Sequence, residues 1–268
     1  MELEIGIAGW VLSGEILQEK TLTLLEFPKV CASYGVKTVE LCSRFFANQD
    51  ARYLNELRQT LEDNNLSVQN IAVDMGNIAG SDAAVRRTDI EGLKQWFYTA
   101  SAVNSEAIRI NTGHADDDGA MARVIEGYQE LVEVGEQAGV KLLIENHGGV
   151  SSTSDNLAHI LESVDSPWFA TCPDTANFPL GDWEAGMRVL APRAFSCHVK
   201  VFNYSGDGVQ SWASRDGQKR EYDLKKCLSI LKEADYQGPL CVEKGASENV
   251  RDGIGDTISY LKALVAEV

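Results

Sequence analysis

The chain has 268 residues, of which 44% are hydrophobic and 24% are charged. These fractions are typical of a soluble globular protein, and the length is ordinary for one α/β barrel. The formal net charge of −16 repels nucleic acid and anionic membranes at long range, so we expect neither as a partner. No apolar run approaches the ~20 residues of a membrane span. The N-terminus lacks a signal pattern, and we therefore expect a cytoplasmic protein.

Strands and helices alternate along the whole chain. Apolar runs of strand length are separated by segments with apolar residues three and four positions apart. The predicted strands are residues 4–10, 38–42, 67–74, 107–112, 141–146, 169–174, 194–201 and 239–244. The predicted helices are residues 51–64, 83–103, 121–138, 155–164, 223–234 and 249–265.

This alternation predicts a parallel sheet, and eight units predict a single-domain (β/α)8 TIM barrel over residues 1–268. Gly35, Gly139 and Gly238 separate a predicted helix from the next strand, as a left-handed helix end requires. A doubly wound open sheet is the alternative, but no GxGxxG or phosphate-binding loop follows a strand. The polar stretch at residues 203–221 is predicted to be a long loop over the active-site face that helps to select substrate.

The six cysteines form no Cys-x-x-Cys pair, so a zinc–cysteine site is not expected. A free cysteine packs as a small hydrophobic residue. We therefore predict buried free thiols and a reducing compartment. These cysteines are Cys31, Cys42, Cys172, Cys197, Cys227 and Cys241.

Three carboxylates and one imidazole stand at the ends of four successive predicted strands. They are Glu145, Asp174, His198 and Glu243. Because the carboxyl ends of barrel strands converge on one face, we expect these side chains to meet. Hard oxygen ligands with one nitrogen suit Mn²⁺, Mg²⁺, Co²⁺ or Zn²⁺. The sequence thus predicts a site for one divalent cation.

The segments 144–149 (IENHGG) and 197–200 (CHVK), with the order Glu, Asp, His, Glu on the last four strands, resemble the sugar phosphate isomerase/epimerase family. This family belongs to the xylose-isomerase-like TIM barrel superfamily. The resemblance implies one divalent cation, Mn²⁺ by preference, held by Glu145, Asp174, His198 and Glu243. It also implies that the two glutamates face each other across a bound sugar and act as acid and base.

The implied reaction is isomerisation or epimerisation of a carbohydrate through a metal-stabilised enediolate. A Lewis-acid cation stabilises the anion formed beside a carbonyl, and a carboxylate within hydrogen-bond reach removes the proton. Lys200 points to the same strand face as His198. Its amine either assists the enolate oxygen or forms a salt bridge to a ligand carboxylate.

Further candidate substrate contacts are weaker. His147 faces the pocket mouth or caps a loop, His114 follows the fourth strand, and Trp10 either stacks on a sugar or packs in the core. Glu40 and Arg109 are charges inside apolar strands, where unpaired charges are rare. We expect a structural Glu40–Arg109 pair, with a substrate anion on Arg109 as the alternative.

The chain departs from ketose epimerases at two positions. A histidine that those enzymes carry shortly after the sixth-strand aspartate is Asn177 here, a candidate substrate contact. The acidic residue that the family frequently has right after the His-x-Lys segment is Val201 here. A lyase or dehydratase acting on a keto-sugar or cyclic polyol is therefore the main alternative. A non-catalytic sugar-binding or partner subunit is a third. In each case the sequence is compatible with a homo-oligomer. An AP endonuclease needs more histidines than the four present.

Overall fold

The computed structural model describes residues 3–115, 117–179, 181–214 and 217–268. Eight parallel strands form one curled sheet in the order β6-β5-β4-β3-β2-β1-β10-β7. Isolated parallel bridges, Thr171–Ala194 and Asp174–His198, join the two edges of this sheet beside β6 and β7. The predicted TIM barrel is confirmed. Its strands are β1 (Ile5–Ala8), β2 (Thr38–Cys42), β3 (Ser67–Val73), β4 (Ala107–Ile110), β5 (Lys141–Ile144), β6 (Phe169–Thr171), β7 (Cys197–Lys200) and β10 (Leu240–Lys244).

The helices lie outside the sheet and connect its strands. They are α1 (Phe27–Ala32), α2 (Ala51–Asp63), α3 (Ala83–Ala102), α4 (Ala120–Ala138), α5 (Ser154–Val164), α6 (Trp183–Leu190), α7 (Leu224–Glu233) and α8 (Val250–Glu267). The sequence patterns did not predict α1 and α6, because six and eight residues are too short to display a clear helical period. No helix among the described residues is long and apolar enough to cross a membrane.

Helix α2 illustrates how the sequence sets the local structure. The Asp50 side chain accepts a hydrogen bond from the Tyr53 backbone N–H at 2.8 Å, and this N-cap starts the helix. Leu54, Leu57 and Leu61 are buried on one face, as the spacing of three and four residues predicts. All six cysteines are buried and free, which confirms the prediction from the sequence.

The segment at residues 203–221 is not an irregular loop. It contains most of an antiparallel hairpin made by β8 (Val209–Ala213) and β9 (Lys219–Asp223), although residues 215 and 216 lie outside the described part. Trp212 stacks on Phe202 with ring centroids 4.2 Å apart. Tyr222 donates a hydrogen bond to the Lys200 carbonyl, so the hairpin is tied to the end of β7. Its predicted role in substrate selection stays a prediction.

Two helical glycines should respond in opposite ways to alanine. A Cβ at Gly135 in α4 would lie 2.7 Å from the Val140 carbonyl oxygen and 2.9 Å from the Phe97 ring, so we expect Gly135→Ala to destabilise the fold by about 1–3 kcal/mol. A Cβ at Gly92 in α3 meets nothing within 4 Å, so Gly92→Ala should stabilise it by about 0.5–1 kcal/mol. Urea denaturation measures both, and equal effects would contradict this packing.

Candidate metal and active site

The four side chains at the predicted strand ends meet at the C-terminal mouth of the barrel. Glu145 directly follows β5, Asp174 follows β6, His198 lies in β7 and Glu243 lies in β10. One potential ligand atom from each lies within 4.8 Å of the others, and all four residues are buried. The convergence predicted from strand order is therefore observed. Glu145 and Asp174 are 0% exposed and Glu243 is 8% exposed, so Glu243 is the most accessible of the three carboxylates in the cluster.

The donor atoms of this cluster fit a divalent cation. Among the described residues, Glu145 Oε2 and Glu243 Oε2 are buried oxygens that make no hydrogen bond of good geometry. Both oxygens are in ion pairs instead, Glu145 Oε2 with Arg109 Nε at 3.0 Å and Glu243 Oε2 with Lys200 Nζ at 2.8 Å, and each keeps lone pairs that a cation can accept. Three carboxylates and one imidazole are hard donors of the kind that Mn²⁺, Mg²⁺, Co²⁺ and Zn²⁺ accept.

The two carboxylate oxygens of Asp174 have well-defined partners. Its Oδ1 accepts backbone N–H groups from Ala176 at 2.8 Å and Asn177 at 3.1 Å, while its Oδ2 contacts the Lys200 ammonium. Lys200 Nζ also lies 2.8 Å from Glu243 Oε2 and donates to Asn177 Oδ1 at 2.9 Å. Both oxygens of Asp174 are therefore engaged, and its carboxylate has a fixed orientation.

Electrostatic surroundings keep the two glutamates ionised. Burial by itself raises the pKa of a carboxyl group. At Glu145, Arg109 and His147 help to outweigh burial and hold the pKa well below its usual range. At Glu243, burial is outweighed chiefly by Lys200, and the pKa falls to about 2. Both side chains are therefore carboxylates at neutral pH, as a base or a metal ligand must be.

Burial determines the direction of the pKa shift at Asp174 but not at Lys200. Burial has the largest effect on Asp174 and raises its pKa to about 7, against the opposing charge of Lys200. Burial opposes the charge of Lys200, but Asp174 and Glu243 overcome it and raise the lysine pKa. Asp174 is thus the carboxyl group of the cluster that ionises least readily.

The expected Glu40–Arg109 pair is wrong. Arg109 NH1 lies 2.7 Å from Asp74 Oδ1, and Arg109 Nε lies 3.0 Å from Glu145 Oε2. Glu40 instead contacts His198, with 2.6 Å between Glu40 Oε2 and His198 Nε2. Arg109 is only 2% exposed, and the carboxylates that directly follow β3 and β5 satisfy its charge. Its placement supports holding Glu145 in position, and contact with a substrate anion stays a prediction.

Asp74 and Asn177 belong to the same arrangement. Asp74 follows β3 and was not singled out in the sequence, because a carboxylate after a strand usually caps the next helix. The Asn177 side chain donates to Glu145 Oε1 at 3.1 Å and accepts from Lys200. Asn177 therefore lies against the cluster, and its contact with a substrate stays a prediction.

The remaining candidates lie at different distances from the cluster. His147 Nδ1 lies 3.2 Å from Glu145 Oε2, and its side chain is 43% exposed, so it faces both the cluster and solvent. Trp10 follows β1, is partly exposed and stacks on Phe45 with ring centroids 6.2 Å apart. His114 is exposed and hydrogen-bonds through its backbone to the Asn77 side chain. Only His147 among these three contacts a cluster residue in the described hydrogen bonds and ion pairs.

The fold and the cluster define an α/β barrel with a buried carboxylate–histidine centre at its C-terminal mouth. The sequence profile of the xylose isomerase-like TIM barrel family matches residues 28–264. The chain belongs to this family. A search of curated protein sequences found no match.

Solved structures of similar fold cover the whole chain at low sequence identity. An L-ribulose 3-epimerase is 17% identical with a TM-score of 0.79, covering 99% of this chain and 95% of its own. A D-psicose 3-epimerase with D-tagatose from Clostridium cellulolyticum is 14% identical with a TM-score of 0.76, covering 98% and 99%. A xylose isomerase-like TIM barrel protein from Mycobacterium smegmatis, in complex with magnesium, is 16% identical with a TM-score of 0.72, covering 98% and 97%.

Proposed function

We propose that this protein is a divalent-metal-dependent sugar isomerase or epimerase that moves a proton at a carbon beside a carbonyl group. The observation that carries the proposal is the buried cluster of Glu145, Asp174, His198 and Glu243, whose ligand atoms lie within 4.8 Å of one another. Epimerases of ketoses and a magnesium-bound protein share the fold. These relatives support a small carbohydrate as the substrate.

The four cluster residues would hold the cation, with Mn²⁺ as the first choice and Mg²⁺, Co²⁺ or Zn²⁺ as alternatives. When bound, such a cation polarises a substrate carbonyl and makes the adjacent C–H bond acidic. The low pKa values of Glu145 and Glu243 keep both carboxylates ready as ligands. The hydrogen bonds that Asp174 accepts from the backbone N–H groups of Ala176 and Asn177 orient its carboxylate as a metal ligand.

Glu145 and Glu243 are the proposed acid/base pair. The Oε2 atom of each is in an ion pair, with Arg109 or with Lys200, and a carboxylate keeps further lone pairs with which it can take up a proton. One glutamate takes the proton from carbon and becomes a carboxylic acid, which can return that proton to the neighbouring carbon in an isomerisation. Inversion at the same carbon requires the other glutamate, protonated from solvent, to donate a proton to the opposite face. Lys200, whose ammonium contacts Glu243 and Asp174, supplies positive charge where the substrate oxygen becomes anionic.

His147, Asn177 and Trp10 are the proposed substrate contacts at the mouth. His147 is partly exposed beside Glu145, and Asn177 lies between Glu145 and Lys200. Trp10 offers an aromatic face for a sugar ring. Arg109, fully enclosed by its ion pairs, and His114, which lies on the rim, are weaker candidates.

Solvent exchange tests this proposal directly. The metal-loaded protein should be incubated with a panel of ketoses in deuterated water, with mass and NMR analysis of the products. Incorporation of deuterium beside the carbonyl, together with an epimer or isomer, is the expected result. A chelator-treated sample serves as the control and should be inactive. A dehydrated or cleaved product would instead establish the lyase alternative, and no exchange with any sugar despite bound metal would contradict catalysis.

A further inference from the structure

Glu40 places a buried carboxylate beside the histidine of the cluster, on the side away from the other carboxylates. Glu40 Oε2 lies 2.6 Å from His198 Nε2. The other ring nitrogen, Nδ1, lies 3.2 Å from Glu145 Oε1 and 3.9 Å from Glu243 Oε1. The two nitrogens therefore face different partners: Nδ1 faces the cluster and Nε2 faces Glu40.

The contact crosses the interior of the barrel. Glu40 lies on β2 and His198 on β7, and β1 and β10 stand between these strands in the sheet. Ser196, two residues before His198 on the chain, contacts the second oxygen of Glu40 through its hydroxyl. Glu40 is 1% exposed. Both of its oxygens are thus engaged, and its carboxylate is fixed relative to the imidazole.

We propose that Glu40 is a positioning residue that fixes the ring of His198 so that Nδ1 is the nitrogen presented to the divalent cation. The inference rests on the proposed metal-dependent function. A carboxylate that accepts the second N–H of a histidine fixes its tautomer and ring orientation and makes the other nitrogen a better ligand. Glu40 also adds negative charge near the cation without occupying a coordination position.

A competing arrangement uses the same atoms in another way. Glu40, Cys172 and His198 also have ligand atoms within 4.8 Å of one another, and a cation there would be bound by Nε2. This second set offers one carboxylate, one thiol and one imidazole, whereas the cluster offers three carboxylates and one imidazole, the harder donors that Mn²⁺ and Mg²⁺ prefer. The three-carboxylate cluster is the better site, and the two arrangements predict different effects of removing Cys172.

Titration with Mn²⁺ alone, read as free Mn²⁺ by electron paramagnetic resonance, tests the proposal without any sugar. Glu40→Gln keeps an acceptor for the Nε2–H but removes the charge, whereas Glu40→Met removes both at similar volume. We expect both variants to bind Mn²⁺ roughly 10-fold to 100-fold more weakly. Glu40→Met should lose more affinity than Glu40→Gln. Cys172→Ala is the matched control and should bind Mn²⁺ nearly as the unaltered protein does.

A second readout reports on the ring itself. In the Zn²⁺-loaded protein, the Nε2–H of His198 should give a slowly exchanging, downfield ring-proton signal. Glu40→Gln should retain this signal, and Glu40→Met should lose it. If Glu40→Met does not fold, the Mn²⁺ affinity of Glu40→Gln decides the question.

Three outcomes would overturn the inference. Folded Glu40 variants with unaltered Mn²⁺ affinity and ring signal would show that the contact has no positioning role. A loss of affinity in Cys172→Ala equal to that in Glu40→Met would assign the cation to the competing arrangement. If the unaltered protein bound no divalent cation, both this inference and the proposed function would fail. If it bound Mn²⁺ and the Glu40 variants bound Mn²⁺ equally well, only this inference would fail.

Discussion

Glu243→Gln should reduce turnover by roughly 10²–10⁴-fold, the usual contribution of a positioned acid or base. Glutamine keeps the shape of the side chain and one oxygen for a cation, but it cannot take up the substrate proton. The effect on folding should be small, because the Lys200 ammonium can still donate to the amide oxygen. The measurement is kcat with the best substrate from the ketose panel, at saturating metal.

Two controls make this result interpretable. Metal content must be measured in the variant, since loss of the cation would also abolish turnover. Glu248→Gln, which changes an exposed glutamate soon after β10, should leave kcat unaltered. If Glu243→Gln retains metal and still exchanges the substrate proton at a near-normal rate, then the base lies elsewhere. His147 and Lys200 would be the next residues to replace.

A divalent cation should also stabilise the fold strongly. Mn²⁺ at about 100 times its dissociation constant is expected to add about 2.7 kcal/mol to the free energy of unfolding. For a protein of this size, this corresponds to a rise in Tm of roughly 5–10 °C. The reason is that Glu145, Asp174 and Glu243 repel one another in the folded protein, and the unfolded chain offers no assembled site.

Thermal unfolding with and without a chelator measures this effect. Asp174→Asn should abolish most of the response, because it removes a ligand charge from the centre of the cluster. Asp155→Asn changes an exposed aspartate in the first turn of α5 and should leave the response intact. An equal rise in Tm for Asp174→Asn would place the cation elsewhere, and no rise with Mn²⁺, Mg²⁺, Co²⁺ or Zn²⁺ would argue against the cluster as a metal site.

The sequence determined the barrel and the meeting of the four cluster residues. Apolar periodicity sets each strand and helix locally, and parallel strands place their carboxyl ends on one face whatever the details of packing. The position of Glu145, Asp174, His198 and Glu243 at successive strand ends was therefore sufficient to predict that they converge. The sequence patterns did not predict the short helices α1 and α6 or the β8–β9 hairpin, because each of these segments is too short to display a clear period of apolar residues.

Only the tertiary structure decided how the buried charges pair. Glu40 and Arg109 were recognised as charges in apolar strands, but β2 and β4 sit on either side of β3, and spacing along the chain does not say which residues reach across the barrel. The structure pairs Arg109 with Asp74 and Glu145, and Glu40 with His198. Partner choice among buried charges depends on side-chain reach through the barrel interior, which strand order leaves open and three-dimensional packing fixes.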